Sequence, residues 1–145
     1  TSLWSKELIE RGEYYLNRSS KGDQLSKFHL EAAIAYWHTK MEDTLEKWEN
    51  ILQLYNRLLQ VEYSPIAALN RTYAFSKSNG KEQAIIEAEK LKLADNHFYH
   101  LLLAEFYLDI DNKISLQHLH TALSLAKTAA EKNIIAKKIR NFAQK

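Results

Sequence analysis

The stretch S-P-I-A-A-L-N-R-T-Y-A-F-S-K-S-N-G, from Ser64 to Gly80, constrains the fold most, because both ends of a helix are written into it. Ser64 is a natural N-cap whose hydroxyl can accept an amide of the first turn. Pro65 then falls at the first helical position, where its missing N–H costs nothing, and Asn79-Gly80 supplies a left-handed exit. Between them Ile66, Leu69 and Tyr73, with Ala67, Ala74 and Phe75 further round the wheel, predict apolar contacts on more than one side. Pro65 is the only proline and there are only three glycines. With so few breakers and no strand pattern, the whole chain reads as all-helical with short connections.

A short residue followed three positions later by Tyr recurs as Ala33…Tyr36, Asn70…Tyr73 and Ala104…Tyr107. The spacings of 37 and 34 residues lie near the period of tetratricopeptide helix pairs. The short residue would admit a partner helix, and the Tyr one turn on would fill the space beside it. Each such helix precedes a second amphipathic one. These are Leu45, Trp48, Ile51, Leu52, Tyr55, Leu58, Leu59; then Ala84, Ile85, Ala88, Leu91; then Leu116, Leu119, Ala122, Leu123, Ala126. The expected fold is all-α and tetratricopeptide-like (TPR-like), about eight antiparallel helices in stacked pairs, forming a single domain over residues 1–145. Three similar amphipathic helices in an ordinary bundle would give the same loose pattern.

Taken in order, a first helix is expected from Leu3 to Ser19, capped by Ser2 or Ser5 and interrupted by Gly12, where a close crossing would offset the glycine. A second runs from Gln24 to Lys40 after an Asp23 cap, with stripes Leu25, Phe28, Ala32, Ala35 and Ile34, Trp37, Met41 that predict cover on two sides. The third ends near Val61 and starts at Thr44 or a residue or two earlier, since Lys47 is no capping-box acid. After the Ser64 helix come a short helix to Leu91 and an almost wholly apolar one from His97 to Ile110, expected to be buried all round. Ile114 to Lys127 follows. The last helix, Thr128 to Ala143, carries Ile135, Ile139 and Phe142 on one face, as suits a terminal cap.

The residues offer little for catalysis. Gly-rich phosphate loops, nucleophile elbows and cysteines are absent from the sequence, so neither a disulfide framework nor a thiolate site can form. Glu42-Asp43 and Glu87…Glu89 fall in polar contexts that would not raise a carboxyl pKa. His97…His100 and His118…His120 lack a carboxylate at fixed spacing, so exposed or singly hydrogen-bonded histidines are expected rather than a metal site. No enzyme activity and no cofactor are expected. The net charge of +2 is too small to imply nucleic acid. From residue 127 onward, however, Lys127, Lys132, Lys137, Lys138, Arg140 and Lys145 face only Glu131, which leaves open a phosphate-binding last helix. Lack of a long apolar run or a signal-peptide layout predicts no membrane and a cytoplasmic location. The chain begins at Thr1 and its only methionine is Met41, so a longer parent is expected.

The run L-Y-N-R-L-L-Q-V-E-Y-S-P-I-A-A-L-N-R-T-Y-A (Leu54 to Ala74), with A-A-I-A-Y-W-H (Ala32 to His38) before it and F-Y-H-L-L-L-A-E (Phe98 to Glu105) after it, resembles the C-terminal extension of a class of extracytoplasmic-function (ECF) sigma factors. The resemblance covers Trp4 to Lys138, and Ser64, Pro65, Leu69, Asn70 and Arg71 carry its most specific motif. It implies a TPR-like domain that follows the promoter-recognising parts of a sigma factor and reads no promoter DNA itself. It also implies control of initiation through contacts with the other sigma domains, RNA polymerase core or a signalling protein. Asn70, Arg71, Tyr73, Tyr99 and His100 are the expected functional surface. Arg71 suits either a buried carboxylate clamp or an acidic group of a partner. The alternative is a stand-alone TPR-like scaffold that binds a peptide or protein ligand.

Overall fold

The computed structural model describes residues 22–40 and 42–143. Among them are seven α-helices and no strand: α1 (Gly22–His38), α2 (Leu45–Val61), α3 (Pro65–Asn79), α4 (Lys81–Glu89), α5 (His97–Tyr107), α6 (Asn112–Leu125) and α7 (Ala129–Ala143). The chain is therefore all-α over this range. The helix expected from Leu3 to Ser19, and with it Gly12, lies outside the described residues, as do Met41 and Lys145. The helices divide into two compact units, with the boundary after Ser78.

In the first unit α2 has the clearest helical grammar. Thr44 is its N-cap, the hydroxyl accepting from Lys47 N–H at 3.1 Å, so the helix does not start earlier. Trp48, Ile51, Leu52, Tyr55 and Leu58 then follow at helical spacing and are buried, while Leu45 is exposed. They meet Leu30 and Ile34 of α1 and Ala67 and Ala74 of α3 in one core. Lys47 is buried too; its ammonium donates to the Lys40 carbonyl at 2.7 Å and fastens the α1–α2 connection.

Three expectations for this unit need correction. On α1 the buried face is Ser26, His29, Leu30, Ala33 and Ile34, whereas Phe28 is 61% exposed and Ala35 is exposed. The face is one step round the wheel from the Phe28 stripe, because contact with α2 is set where Ala33 allows approach and Leu30 and Ile34 fill the space. The helix also already contains Gly22 and Asp23, so Asp23 is not its cap. On α3 the caps are as read: Ser64 Oγ accepts from Ala67 N–H at 3.1 Å, Pro65 opens the helix, and Gly80 has φ +95°. Its buried residues, however, are Ala67, Ala68, Leu69, Thr72 and Ala74, and Asn70 is exposed, so Asn70 is not the short residue of a helix crossing. Thr72 returns its hydroxyl to the Ala68 carbonyl at 2.9 Å, so the polar group on this buried face is satisfied.

In the second unit the N-termini of α5, α6 and α7 are capped by side chains the sequence supplies, while Gly80 before α4 makes no side-chain cap. Asn96 accepts from Phe98 N–H at 2.8 Å and Asp111 from Ile114 N–H at 3.2 Å. Thr128 accepts from Glu131 N–H, and Glu131 Oε2 accepts in return from Lys127 and Thr128 N–H. That reciprocal arrangement is a capping box, Thr-x-x-Glu, which fixes the start of α7. Helices α5 and α6 approach at Ala104, whose carbonyl accepts from the buried Ser115 hydroxyl at 2.6 Å. Ala122, Ala126 and Ile135 join α6 to α7, with Leu101, Leu123 and Ile139 against them. Helix α5 is not buried all round: it ends at Tyr107, Phe98 and Ile110 stand exposed, and its inner face is Tyr99, His100, Leu103, Ala104 and Phe106.

Candidate functional site

The first unit carries a groove of about 540 Å³ walled by α1, α2 and α3. Its floor is apolar, from Ile34 and Ala35 of α1, Leu58 of α2 and Ala67 of α3, and Ile66, 46% exposed, stands on its rim. This explains why α3 leaves an isoleucine outside the core. Polar groups enter at three points. Tyr55 lies across from Asn70, and their side chains share a hydrogen bond. Lys27 and Glu62 form an ion pair at 2.5 Å, both partners well exposed, with Glu31 beside it. His38 closes the other side.

Electrostatics keep the groove's polar groups in definite states. Burial pushes the Tyr55 phenol up, the Asn70 hydrogen bond only partly opposing it, so the hydroxyl stays a neutral donor and acceptor. Hydrogen bonding to Glu62, then its charge, raises the Lys27 ammonium. Partial burial, followed by the Lys47 charge, lowers the His38 imidazole, which therefore stands neutral at pH 7. An apolar trough with one amide–phenol pair and an ion pair at its mouth can hold a helix or extended peptide by shape and a few hydrogen bonds.

The motif residues divide around this groove. Ser64 and Asn70 line it. Pro65 is exposed and sets the start of α3, and Leu69 is core. Among the described residues Arg71 clamps no carboxylate: its Nε donates to Asn56 Oδ1 on α2 at 2.5 Å, and its guanidinium lies 5.8 Å from the Phe75 ring centroid. Asn56 supplies the acceptor in place of the expected acid. Tyr73 packs edge-on against Trp48 at 5.6 Å, beneath the Lys77 ammonium. Trp48 in turn donates its indole N–H to Asp43, so that carboxylate is engaged rather than merely solvated.

Tyr99 and His100 belong to the second unit, where both are buried. His100 is neither exposed nor singly bonded, since Nδ1 lies 3.0 Å from His118 Nδ1 and Nε2 lies 2.7 Å from the Ala94 carbonyl. Local spacing could not reveal that pairing across two helices. Glu89 is hydrogen-bonded to the Tyr107 phenol. His97 faces Glu131 at 3.7 Å, and Glu131 is held below the usual carboxylate range, chiefly by the N–H groups of Lys127 and Thr128. Among the described residues no group of three or more His, Cys, Asp or Glu side chains could hold a metal ion. Lys127 before α7, and Lys132, Lys137, Lys138 and Arg140 on it, are exposed. No helix among the described residues is long and apolar enough to cross a membrane.

Reading the sequence alone misses Tyr55, Leu58 and Ile34 as groove residues. All three carry the ordinary signal of a core stripe, and only the placement of α3 turns part of that stripe into a wall.

No protein-family profile matches the chain. No solved structure matches it either. An uncharacterised protein of Rhizobium meliloti (strain 1021) is 32% identical over 101 residues, a stretch that makes up 68% of this chain and 24% of that protein. The chain thus spans about a quarter of the length of the curated relative it matches.

Proposed function

We propose that this chain is a regulatory protein-interaction domain of a bacterial ECF sigma factor, a TPR-like stack of helix pairs that modulates initiation through contacts with sigma domains, RNA polymerase core or a signalling protein. The observation that carries the reading is the position of the sigma-extension motif: the helix bearing Ser64, Pro65, Leu69, Asn70 and Arg71 forms one wall of the groove, with Ser64 and Asn70 facing into it. A match limited to 24% of a longer relative accords with a module carried within a larger protein. On this reading the domain works in the cytoplasm and performs no catalysis, and promoter reading is left to the parent's other parts. The same groove would serve a free-standing TPR-like scaffold that holds a peptide.

Peptide mapping of the endogenous protein, captured with an antibody against this chain, separates the two. Peptides upstream of Thr1 that belong to sigma-type promoter-binding domains are expected. A natural N-terminus near Thr1 would refute the sigma-factor assignment and leave the scaffold.

A further inference from the structure

The pair of His100 on α5 and His118 on α6 has a proton inventory that its geometry dictates. The Ala94 carbonyl, 2.7 Å from His100 Nε2, can only accept, so Nε2 carries a hydrogen. In the neutral ring Nδ1 of His100 is then an acceptor, and His118, 3.0 Å away, must donate from its own Nδ1. His118 is thereby fixed as the Nδ1–H tautomer. One added proton can be carried by His100, with His118 changing tautomer to accept, and both hydrogen bonds survive. A second proton would place N–H groups on both facing nitrogens, two like charges in contact, and no arrangement of the rings keeps the bond.

We propose that His100 and His118 form an acid-opened latch between α5 and α6, closed while the pair holds at most one added proton and released when it takes the second. The surroundings suit this role. Tyr99 stands edge-on to His100 at 5.0 Å, and Tyr107 stacks on His118 at 5.8 Å. Glu89 of α4 is hydrogen-bonded to Tyr107, and Asp111 before α6 acts on the same phenol. From α7, Glu131 faces His97 and Lys138 lines a cleft with Leu119, each on a residue adjoining the pair's own helices. Burial and then the His100 charge hold His118 below the usual imidazole range, which resists the second proton until the medium is acidic. The bond from Ser115 to Ala104 lies outside the pair and is independent of pH, and His100 Nε2–H still donates to the Ala94 carbonyl, so release frees the start of α5 from α6 rather than the whole unit.

The test is nitrogen-detected NMR of the imidazoles in the full chain from about pH 8 to about pH 4.5, with amide exchange of α5 followed in parallel. Expected are the Nε2–H form of His100 and the Nδ1–H form of His118 at high pH, and a first step in which both rings move together. A second step should then coincide with a fall of about tenfold in protection across the first turns of α5. His118→Gln keeps a donor for His100 Nδ1 but cannot titrate, and should hold that protection. Both rings in the Nε2–H form, independent titration of the two, or the same acid loss in H118Q would overturn the latch. The wild-type tautomers are read whether or not the variant folds.

Discussion

Arg71→Ala gives the sharpest test of how α3 is held against α2. The substitution removes a charge-assisted hydrogen bond to Asn56 Oδ1 at 2.5 Å and a guanidinium 5.8 Å from the Phe75 ring. A hydrogen bond with one charged partner contributes about 1.5–3 kcal/mol when buried, and a partly solvated cation–π contact about 0.5–1 kcal/mol. Arg71 is only half-buried, so solvent replaces part of both and a net loss of about 1–2 kcal/mol follows. Asn56→Ala should lose less, and the double mutant should show coupling of about 1 kcal/mol. The assay is urea unfolding of the four proteins, monitored by tryptophan fluorescence, which Trp48 reports from the same core. Coupling below about 0.3 kcal/mol would refute the Asn56 assignment and return Arg71 to the surface as a group free for an acidic partner.

Other perturbations follow from the packing. Ile51→Ala removes a fully buried side chain at the centre of the first unit and should cost about 2–5 kcal/mol in the same assay. Gly80→Ala forces a Cβ into φ +95°, and although nothing crowds the position the backbone strain should lower stability by about 1 kcal/mol, visible as a lower thermal midpoint. Thr128→Ala breaks the capping box of α7 and should cost about 1 kcal/mol, with faster amide exchange confined to the first turn of that helix. His38 and His118 both have lowered values in the folded chain, so the unfolded chain binds more protons as pH falls; their contribution is complete above about pH 6.5 and declines below it. Urea titrations at pH 7.5 and pH 5.5 should show the lower stability at pH 5.5; equal stability at the two would contradict these directions.

Local rules were legible where one residue decides a local event. The Ser64-Pro65 start, the Gly80 exit and the stripe of α2 all depend on neighbours within a turn, and the structure has them as read except for Leu45, which is exposed. Orientation was less legible. Helix α1 is apolar on two sides, so counting residues could not choose between the Phe28 stripe and the Leu30, Ala33, Ile34 face that packs. Helix α5 is nearly all apolar, yet it leaves Phe98 exposed and buries His100, because the Ala94 carbonyl and His118 satisfy that imidazole. His118 lies eighteen residues from it in sequence, and no residue type marks the Ala94 carbonyl as an acceptor. The groove was hidden for a related reason: Tyr55 and Leu58 look identical to core positions until α3 is placed beside them as the other wall.

On the proposed sigma-factor reading, the most direct measurement of the central claim is run-off transcription with the parent protein that the reading predicts and RNA polymerase core, comparing wild type with Ile66→Glu. Ile66 lies on the groove's rim and in the first turn of α3, where a carboxylate suits the helix dipole, so the variant should fold with an unchanged thermal midpoint. A change of about fivefold or more in initiation, equivalent to about 1 kcal/mol of lost or gained contact, is the result the account predicts. Initiation within experimental error of wild type, by a variant that folds normally, would contradict a regulatory role for the groove.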